Sequence, residues 1–173
     1  EGDRLLRTSC SWKCQDGMKI NTKSQLVRKS RKMALELILS RHPMLCTECT
    51  RNNNCELQEA ADQLGIRETR FEYKERPGDI DDSSAVLVRD PAKCILCRRC
   101  IQTCELVQSV SAIGLDGRGY DVWVDTPFNK GLDDIACVSC GQCINRCPVG
   151  ALYEKDHITR VLDALDDPNK HVV

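Results

Sequence analysis

Apolar residues recur every three or four positions between residues 22 and 42, which is the period of an amphipathic helix. Thr22 and Gln25 have the spacing of a capping box at the start of this helix, and Pro43 is placed to end it. Basic residues surround the stripe, and their face is either a solvated surface or a docking site for an acidic partner. The predicted apolar stripe consists of Leu26, Val27, Met33, Ala34, Leu37 and Ile38.

The rest of the chain has the pattern of short elements and loops. Helical patterns occupy residues 56–64 and 157–165, and strand patterns occupy residues 86–88, 112–115, 120–124 and 151–153. Asp116 and Gly117 predict a tight turn between the middle two strands, and a surface loop is expected over residues 126–134. Proline, glycine and acidic residues predict a linker and a domain boundary at residues 76–84. Residues 93–115 and 136–153 share one order of loop, helix and strand, which predicts an internal repeat.

Cysteine is the exceptional residue in the composition. The 173 residues are 41% hydrophobic but only 4% aromatic, and 13 are cysteine. Ordinary packing does not explain this density, so we expect a group bound to sulfur to help build the core. The formal net charge of −1 does not favour nucleic-acid binding. Because no apolar run is long enough for a membrane span and no export leader is recognisable, we expect a cytoplasmic protein in a reducing compartment.

Eight of the cysteines form two runs with the spacing C-x2-C-x2-C-x3-C, and Pro148 follows the second run. This is the ligand run of two-cluster bacterial ferredoxins, in which the fourth cysteine of each run binds the other cluster. Disulfides and zinc fit less well, because cysteines this close rarely meet disulfide geometry and zinc sites use paired C-x2-C ligands. The predicted ligand sets are therefore crossed: Cys94, Cys97, Cys100 and Cys147 for one [4Fe-4S] cluster, and Cys104, Cys137, Cys140 and Cys143 for the other.

A third group lies upstream with the spacing H-x3-C-x2-C-x5-C. Its three thiols, Cys46, Cys49 and Cys55, are one ligand short of what a four-iron cluster needs. From spacing alone, His42 is either the fourth ligand or a residue that caps the end of the preceding helix. Cys10 and Cys14 remain, and two thiols cannot hold a two-iron cluster that needs four ligands.

With these residues in place, the chain resembles the iron–sulfur accessory region (F-cluster region) of [FeFe]-hydrogenases. It is similar to the same module in the large peripheral-arm subunit of NADH:quinone oxidoreductase and in NAD-linked formate dehydrogenases. The motifs that carry the resemblance are His42-Pro43, VRDPAKCILC at 88–97 and CGQCINRCPVGAL at 140–152. The resemblance implies an α+β fold in four parts. These are a remnant of a plant-type [2Fe-2S] domain at 1–21, a small helical His/Cys3 cluster domain at 22–78, a two-[4Fe-4S] bacterial-ferredoxin-like domain at 85–155, and a helix and linker toward a missing catalytic domain at 156–173.

The resemblance also implies cofactors. It makes His42 the fourth ligand beside Cys46, Cys49 and Cys55, which gives three [4Fe-4S] clusters in all. It makes Cys10 the orphan fourth ligand of a [2Fe-2S] cluster, which forms only if a missing N-terminal part supplies the other ligands. A cluster carries a charge of about −2 with four thiolates and about −1 with three. Four cations beside the ligands either offset this charge or are simply solvated: Lys93, Arg98, Arg99 and Arg146.

The function implied is electron transfer between a redox partner and the missing H-cluster domain, without hydrogen turnover by this chain alone. The expected partner is a ferredoxin or an NAD(P)H-oxidising flavoprotein subunit. Residues 158–173 favour this interpretation over an equivalent segment of NADH:quinone oxidoreductase or formate dehydrogenase. A stand-alone polyferredoxin carrier or a zinc-stabilised adaptor is the third alternative.

Overall fold

Short helices and strands alternate with irregular connections along the chain. The computed structural model describes residues 5–76 and 78–173. In these residues the helices are α1 Gln25–Leu39, α2 Glu56–Gln63, α3 Arg99–Gln102, α4 Gln142–Arg146 and α5 Ile158–Asp166. The strands are β1 Leu87–Arg89, β2 Gly114–Asp116, β3 Trp123–Asp125 and β4 Leu152–Glu154. One π-helical turn, Thr103–Val107, continues α3, and none of the described helices is both long and apolar enough to cross a membrane.

The strands form two antiparallel pairs. Strand β1 pairs with β4, with Leu87 opposite Glu154 and Arg89 opposite Leu152. Strand β2 pairs with β3, with Gly114 opposite Asp125. The pairing of β1 with β4 joins the two ends of the 87–154 segment, so both cysteine runs lie between two paired strands that are distant in sequence. Helix α3 packs against α4.

Two groups of buried apolar residues form the core. One group lies inside the 87–154 segment and consists of Leu87, Cys100, Ile113, Val124, Leu132, Ile144 and Leu152. The other consists of Leu35, Leu39, Leu57, Ile66, Val149 and Ala151, with Cys55, Cys94 and Cys147 packed against it. Val149, only 1% exposed, follows the second cysteine run but packs with residues of α1 and α2. The helical N-terminal region and the 87–154 segment therefore share one core.

The predicted capping box of α1 is wrong. The cap is Ser24, which has extended backbone angles and whose hydroxyl oxygen accepts a hydrogen bond from the Val27 amide at 3.2 Å. Helix α1 therefore begins later than the Thr22 cap implied.

None of the six residues predicted for the apolar stripe of α1 is fully buried. Val27, Met33 and Ile38 are half-buried, and Leu26, Ala34 and Leu37 are exposed. The buried apolar residues of this helix are Leu35 and Leu39, which the predicted stripe did not include. Apolar residues occur on more than one side of this helix, and packing against the second core group selects the Leu35–Leu39 side. Glu36 lies on the same side, 1% exposed, and accepts hydrogen bonds from Arg70.

The other predicted elements lie within about three residues of those observed, with two exceptions in the connections. The link between β2 and β3 is longer than a tight turn, because Gly119–Asp121 forms a 3-10 turn. The loop at 126–134 is not confined to the surface, since Thr126 and Leu132 are each 4% exposed. The Leu132 amide donates to the Asp81 carboxylate at 3.1 Å, so part of the predicted linker at 76–84 packs onto the 87–154 segment. Pro77 lies outside the described residues, and the domain boundary there remains a prediction.

Candidate iron–sulfur sites

The two cysteine runs fold into loops with the same backbone pattern. Leu96 and Ser139, each two residues after the first cysteine of its run, have positive φ angles of 57° and 52°. Arg98 and Gly141, each one residue after the second cysteine, have φ angles of 62° and 69° and precede α3 and α4. A residue other than glycine rarely adopts this conformation, so the repeated pattern indicates backbone shaped around something inside each loop.

The first cavity is lined by Cys94, Cys97, Cys100 and Cys147, which are the members of the first predicted ligand set. It encloses about 490 Å³ including its mouth. Burial, reinforced by the neighbouring thiols, raises the pKa of Cys100 to about 12. Burial likewise raises the pKa of Cys94, and Cys147 adds to that shift. The fourth cysteine of the second run thus lies with the first three cysteines of the first run.

The second cavity is lined by Cys104, Cys137, Cys140 and Cys143, the second predicted set, and also encloses about 490 Å³. Burial raises the pKa of Cys143 to about 11, with contributions from Cys137 and Cys140. The Ala112 amide donates a hydrogen bond to the Cys104 sulfur at 3.2 Å. A donor aimed at sulfur stabilises a thiolate, which is the form that binds iron.

The third cavity, of about 320 Å³, is lined by His42, Cys46, Cys49 and Cys55. His42 is 7% exposed and lies in the turn that follows α1. Its Nδ1 lies 3.1 Å from the backbone carbonyl of Lys93. Because a carbonyl oxygen only accepts hydrogen bonds, this contact places the proton on Nδ1 and leaves the lone pair on Nε2. Burial lowers the pKa of His42, which favours the neutral imidazole that a metal needs.

The donor sets fit iron–sulfur clusters. Each cavity has four soft donors around one space, and thiolates with an occasional imidazole are the ligands that such clusters take. All 13 cysteines are free thiols. Among residues 5–76 and 78–173, no group of three or more His, Cys, Asp or Glu side chains is arranged to hold a single metal ion, whereas each cavity has its four donors around a larger space.

The third cavity is completed by the 87–154 segment, which sequence reasoning did not anticipate. Besides the Lys93 carbonyl, Gly150 lines this cavity, and a Cβ added to Gly150 would lie 2.6 Å from the Cys49 sulfur. The Glu56 amide donates to the Pro148 carbonyl at 3.0 Å. These contacts join residues far apart in the chain, and no periodicity or motif in the sequence signals them.

The cations that were candidates to offset cluster charge are engaged elsewhere or exposed. Lys93 pairs with Asp90 at 2.7 Å, and Arg99 forms a two-pronged pair with Glu56 at 2.6 and 2.8 Å. Arg98 and Arg146 are exposed. Two arginines that the sequence did not single out, Arg41 and Arg76, are buried instead.

Cys10 and Cys14 are exposed and lie in a segment without regular secondary structure. Neither lines any of the three cavities. The suggested role of Cys10 in a [2Fe-2S] cluster therefore remains a prediction.

Comparisons with known proteins cover all three sites. Residues 31–70 match the NADH-ubiquinone oxidoreductase-G iron-sulfur binding region, and residues 93–151 match the 4Fe-4S dicluster domain. A crystal structure of an NAD+-reducing [NiFe]-hydrogenase in the H2-reduced state is similar, with a TM-score of 0.80 and 29% identity. The similarity covers 86% of this chain and 64% of that chain.

Three curated relatives are similar in sequence. The NADP-reducing hydrogenase subunit HndD of Solidesulfovibrio fructosivorans is 40% identical over 173 residues, all of this chain. A putative formate dehydrogenase of Staphylococcus haemolyticus and an NADH-quinone oxidoreductase component of Rhizobium meliloti are each 36% identical, over 89% and 88% of this chain. The chain spans 30%, 16% and 18% of the lengths of these three relatives. It is an iron–sulfur electron-transfer module with a 4Fe-4S ferredoxin-like domain, of the kind found in NAD(P)-linked hydrogenase, NADH:quinone oxidoreductase and formate dehydrogenase-like complexes.

Proposed function

We propose that the chain binds three [4Fe-4S] clusters, one in each cavity, with two of them in a two-cluster ferredoxin-like repeat. The observation that carries the proposal is that the three sets expected from the sequence and its family resemblance line three separate cavities. The proposed ligands are Cys94, Cys97, Cys100 and Cys147; Cys104, Cys137, Cys140 and Cys143; and His42, Cys46, Cys49 and Cys55.

When bound, such clusters supply one-electron oxidation and reduction with little rearrangement. The protein fixes their positions through the shared core, and it sets their potentials through ligand type, hydrogen bonds and burial. His42 replaces a thiolate with a neutral ligand, so its site carries less negative charge than the two all-cysteine sites. The Lys93 carbonyl holds the imidazole with Nε2 free to bind iron.

We propose further that the parent protein is an [FeFe]-hydrogenase in which this segment relays electrons between a ferredoxin or NAD(P)H-oxidising subunit and an H-cluster domain. The match to the NADP-reducing hydrogenase subunit over the whole chain supports a hydrogenase parent. The matches to formate dehydrogenase-like and NADH-quinone oxidoreductase proteins favour the alternative, an equivalent segment of one of those complexes. A reducing cytoplasm suits a chain whose cysteines are all free.

The ligand proposal is tested by metal analysis and by one substitution. The purified chain is expected to contain about twelve iron and twelve sulfide per chain, at four per cluster. His42→Cys is expected to retain iron but to lower the midpoint potential of one cluster, because a charged ligand replaces a neutral one. The matched control is His171→Cys, which adds a thiol at an exposed histidine. Unchanged potentials and spectra in His42→Cys would show that His42 is not a ligand.

The proposal for the parent protein needs a different experiment. The full-length protein, purified with its clusters, is expected to evolve hydrogen from a reduced low-potential carrier. Formate oxidation or quinone reduction without hydrogen evolution would favour the alternative complexes instead.

A further inference from the structure

Two buried arginines have no acidic partner. Arg41 and Arg76 are 7% and 8% exposed, and the Nε atom of each is buried without a hydrogen-bond partner. Among the residues that the structure describes, neither forms an ion pair. The contacts of Arg41 are neutral: Nη1 donates to the Tyr120 carbonyl at 3.4 Å, and the guanidinium stacks 4.2 Å from the Tyr120 ring. Guanidinium groups stay charged, so two positive charges lie inside the protein without an acidic partner among the described residues.

Arg76 lies in a segment that reaches from the turn containing His42 to the wall of the Cys94 cavity. Two residues after Arg76, a Cβ added to Gly78 would lie 3.1 Å from the side chain of Pro91, which lines that cavity. The Lys74 amide donates to the Ser40 carbonyl at 2.9 Å, which brings the segment that ends at Arg76 against the turn that contains His42. Arg76 also interacts electrostatically with the Cys94 thiol and with His42. The neighbouring acid, Asp90, already pairs with Lys93 at 2.7 Å. A thiolate-bound cluster is therefore the negative charge available to Arg76.

We propose that Arg76, with Arg41 beside it, is the buried counter-charge of the cluster held by Cys94, Cys97, Cys100 and Cys147, and that it raises the reduction potential of this cluster. The inference rests on the proposed function, since it requires that this cluster be present. Reduction adds one electron and takes the cluster with its thiolates from a charge of about −2 to about −3. No bond breaks and no proton moves, so a fixed positive charge nearby favours the reduced state.

The test compares Arg76→Gln, which removes the charge, with Arg76→Lys, which keeps it. The control is Arg98→Gln, which removes an exposed cation directly beside the ligand Cys97. Each variant is purified with its clusters, assayed for iron and titrated with EPR detection, and the signal of the Cys94 cluster is assigned by its absence in Cys97→Ser. We expect Arg76→Gln to shift the midpoint potential of this cluster to more negative values. Arg76→Lys should restore most of the shift, and Arg98→Gln should cause a smaller one.

The cluster held by Cys104, Cys137, Cys140 and Cys143 is an internal reference whose potential should stay constant, because no described contact joins Arg76 to that site. If Arg76→Gln fails to load the Cys94 site while Arg76→Lys loads it, the need for a positive charge is also demonstrated. A wild-type potential in Arg76→Gln would overturn the proposal. Equal effects of Arg76→Gln and Arg76→Lys would overturn it too, because a packing role would then explain both. Wild-type protein without iron would instead refute the proposed function, so the two failures are distinguishable.

Discussion

Gly150→Ala is the smallest change that tests whether the 87–154 segment shapes the histidine-containing site. An added Cβ at Gly150 would lie 2.6 Å from the Cys49 sulfur, and its next neighbours, the Lys93 Cδ and the Thr50 Oγ1, would both be at 3.6 Å. The conflict is therefore with one proposed ligand atom and not with the surroundings in general. Gly150 does not have a positive φ angle, so the substitution adds volume without demanding a forbidden backbone conformation.

The size of the steric overlap between the added Cβ and the Cys49 sulfur decides the expected outcome. Ordinary contact begins at about 3.4 Å, so the Cys49 sulfur or the backbone at residue 150 must move by about 0.8 Å. Metal–ligand distances tolerate only about 0.2 Å. Overpacking of this kind typically costs about 1–3 kcal/mol. Moving Cys49 weakens its bond to iron, and moving the backbone disturbs the turn after Cys147, so we expect the histidine-containing site to lose its cluster first.

The assay is iron and sulfide content per chain together with EPR of the reduced protein. Gly150→Ala is expected to lose about four iron per chain and one EPR signal, which leaves the two all-cysteine clusters in place. Gly114→Ala is the matched control, because it adds the same methyl group at a glycine with open space around it and no positive φ angle. Equal iron content, spectra and midpoint potentials in the two variants would refute this reasoning about the contact.

Three further predictions concern the surroundings of the sites. Arg98→Gly should raise the free energy of unfolding by up to about 1 kcal/mol, because Arg98 has a φ of 62°, which glycine adopts without strain. Arg99→Gly, in α3, should lower the free energy of unfolding by about 1 kcal/mol, and urea titration measures both changes. Arg70→Met should lower the urea midpoint more than Arg67→Met, because Arg70 pairs with the buried Glu36 and Arg67 with the exposed Asp62. In the iron-free chain at pH 7, Cys100, whose pKa is raised to about 12, should be alkylated more slowly than the exposed Cys97. Its rate should rise about tenfold per pH unit up to pH 9, as mass spectrometry can follow.

The grouping of the proposed ligands could be predicted because it depends on local spacing. Cysteines separated by two residues in a loop turn toward one space. The fourth cysteine follows a short helix that carries it to the other space: Cys104 lies in the π-helical turn after α3, and Cys147 directly follows α4. The structure gathers the same sets around three cavities, including the crossed placement of Cys147 and Cys104. For His42, spacing left a ligand and a helix cap equally open, and the hydrogen bond to the Lys93 carbonyl is what supports the ligand role.

The features that could not be predicted are those that depend on distant parts of the chain. Leu132 lies in a polar stretch that is typical of a surface loop, yet it is buried against β1, α4 and β4. The cations beside the cysteines were the natural candidates to offset cluster charge, but Lys93 and Arg99 are held by Asp90 and Glu56. Sequence proximity to a ligand therefore says little about which charge is buried near it, because burial is decided by packing between segments.

The same packing brings residues from both sides of the predicted boundary at 76–84 together at the histidine-containing site. His42 comes from the N-terminal region, but its ring is oriented by the carbonyl of Lys93, the residue that precedes the proposed ligand Cys94. Gly150 and Pro148 approach the same cavity from the second cysteine run. Because electron tunnelling falls steeply with distance, the hydrogen bond and the core contacts that join these two sites would hold the proposed clusters at a fixed separation and so fix their rate of electron exchange. We therefore infer that the proposed clusters form one relay whose spacing these contacts fix, although the sequence pattern places the histidine-containing site and the two cysteine runs in different domains.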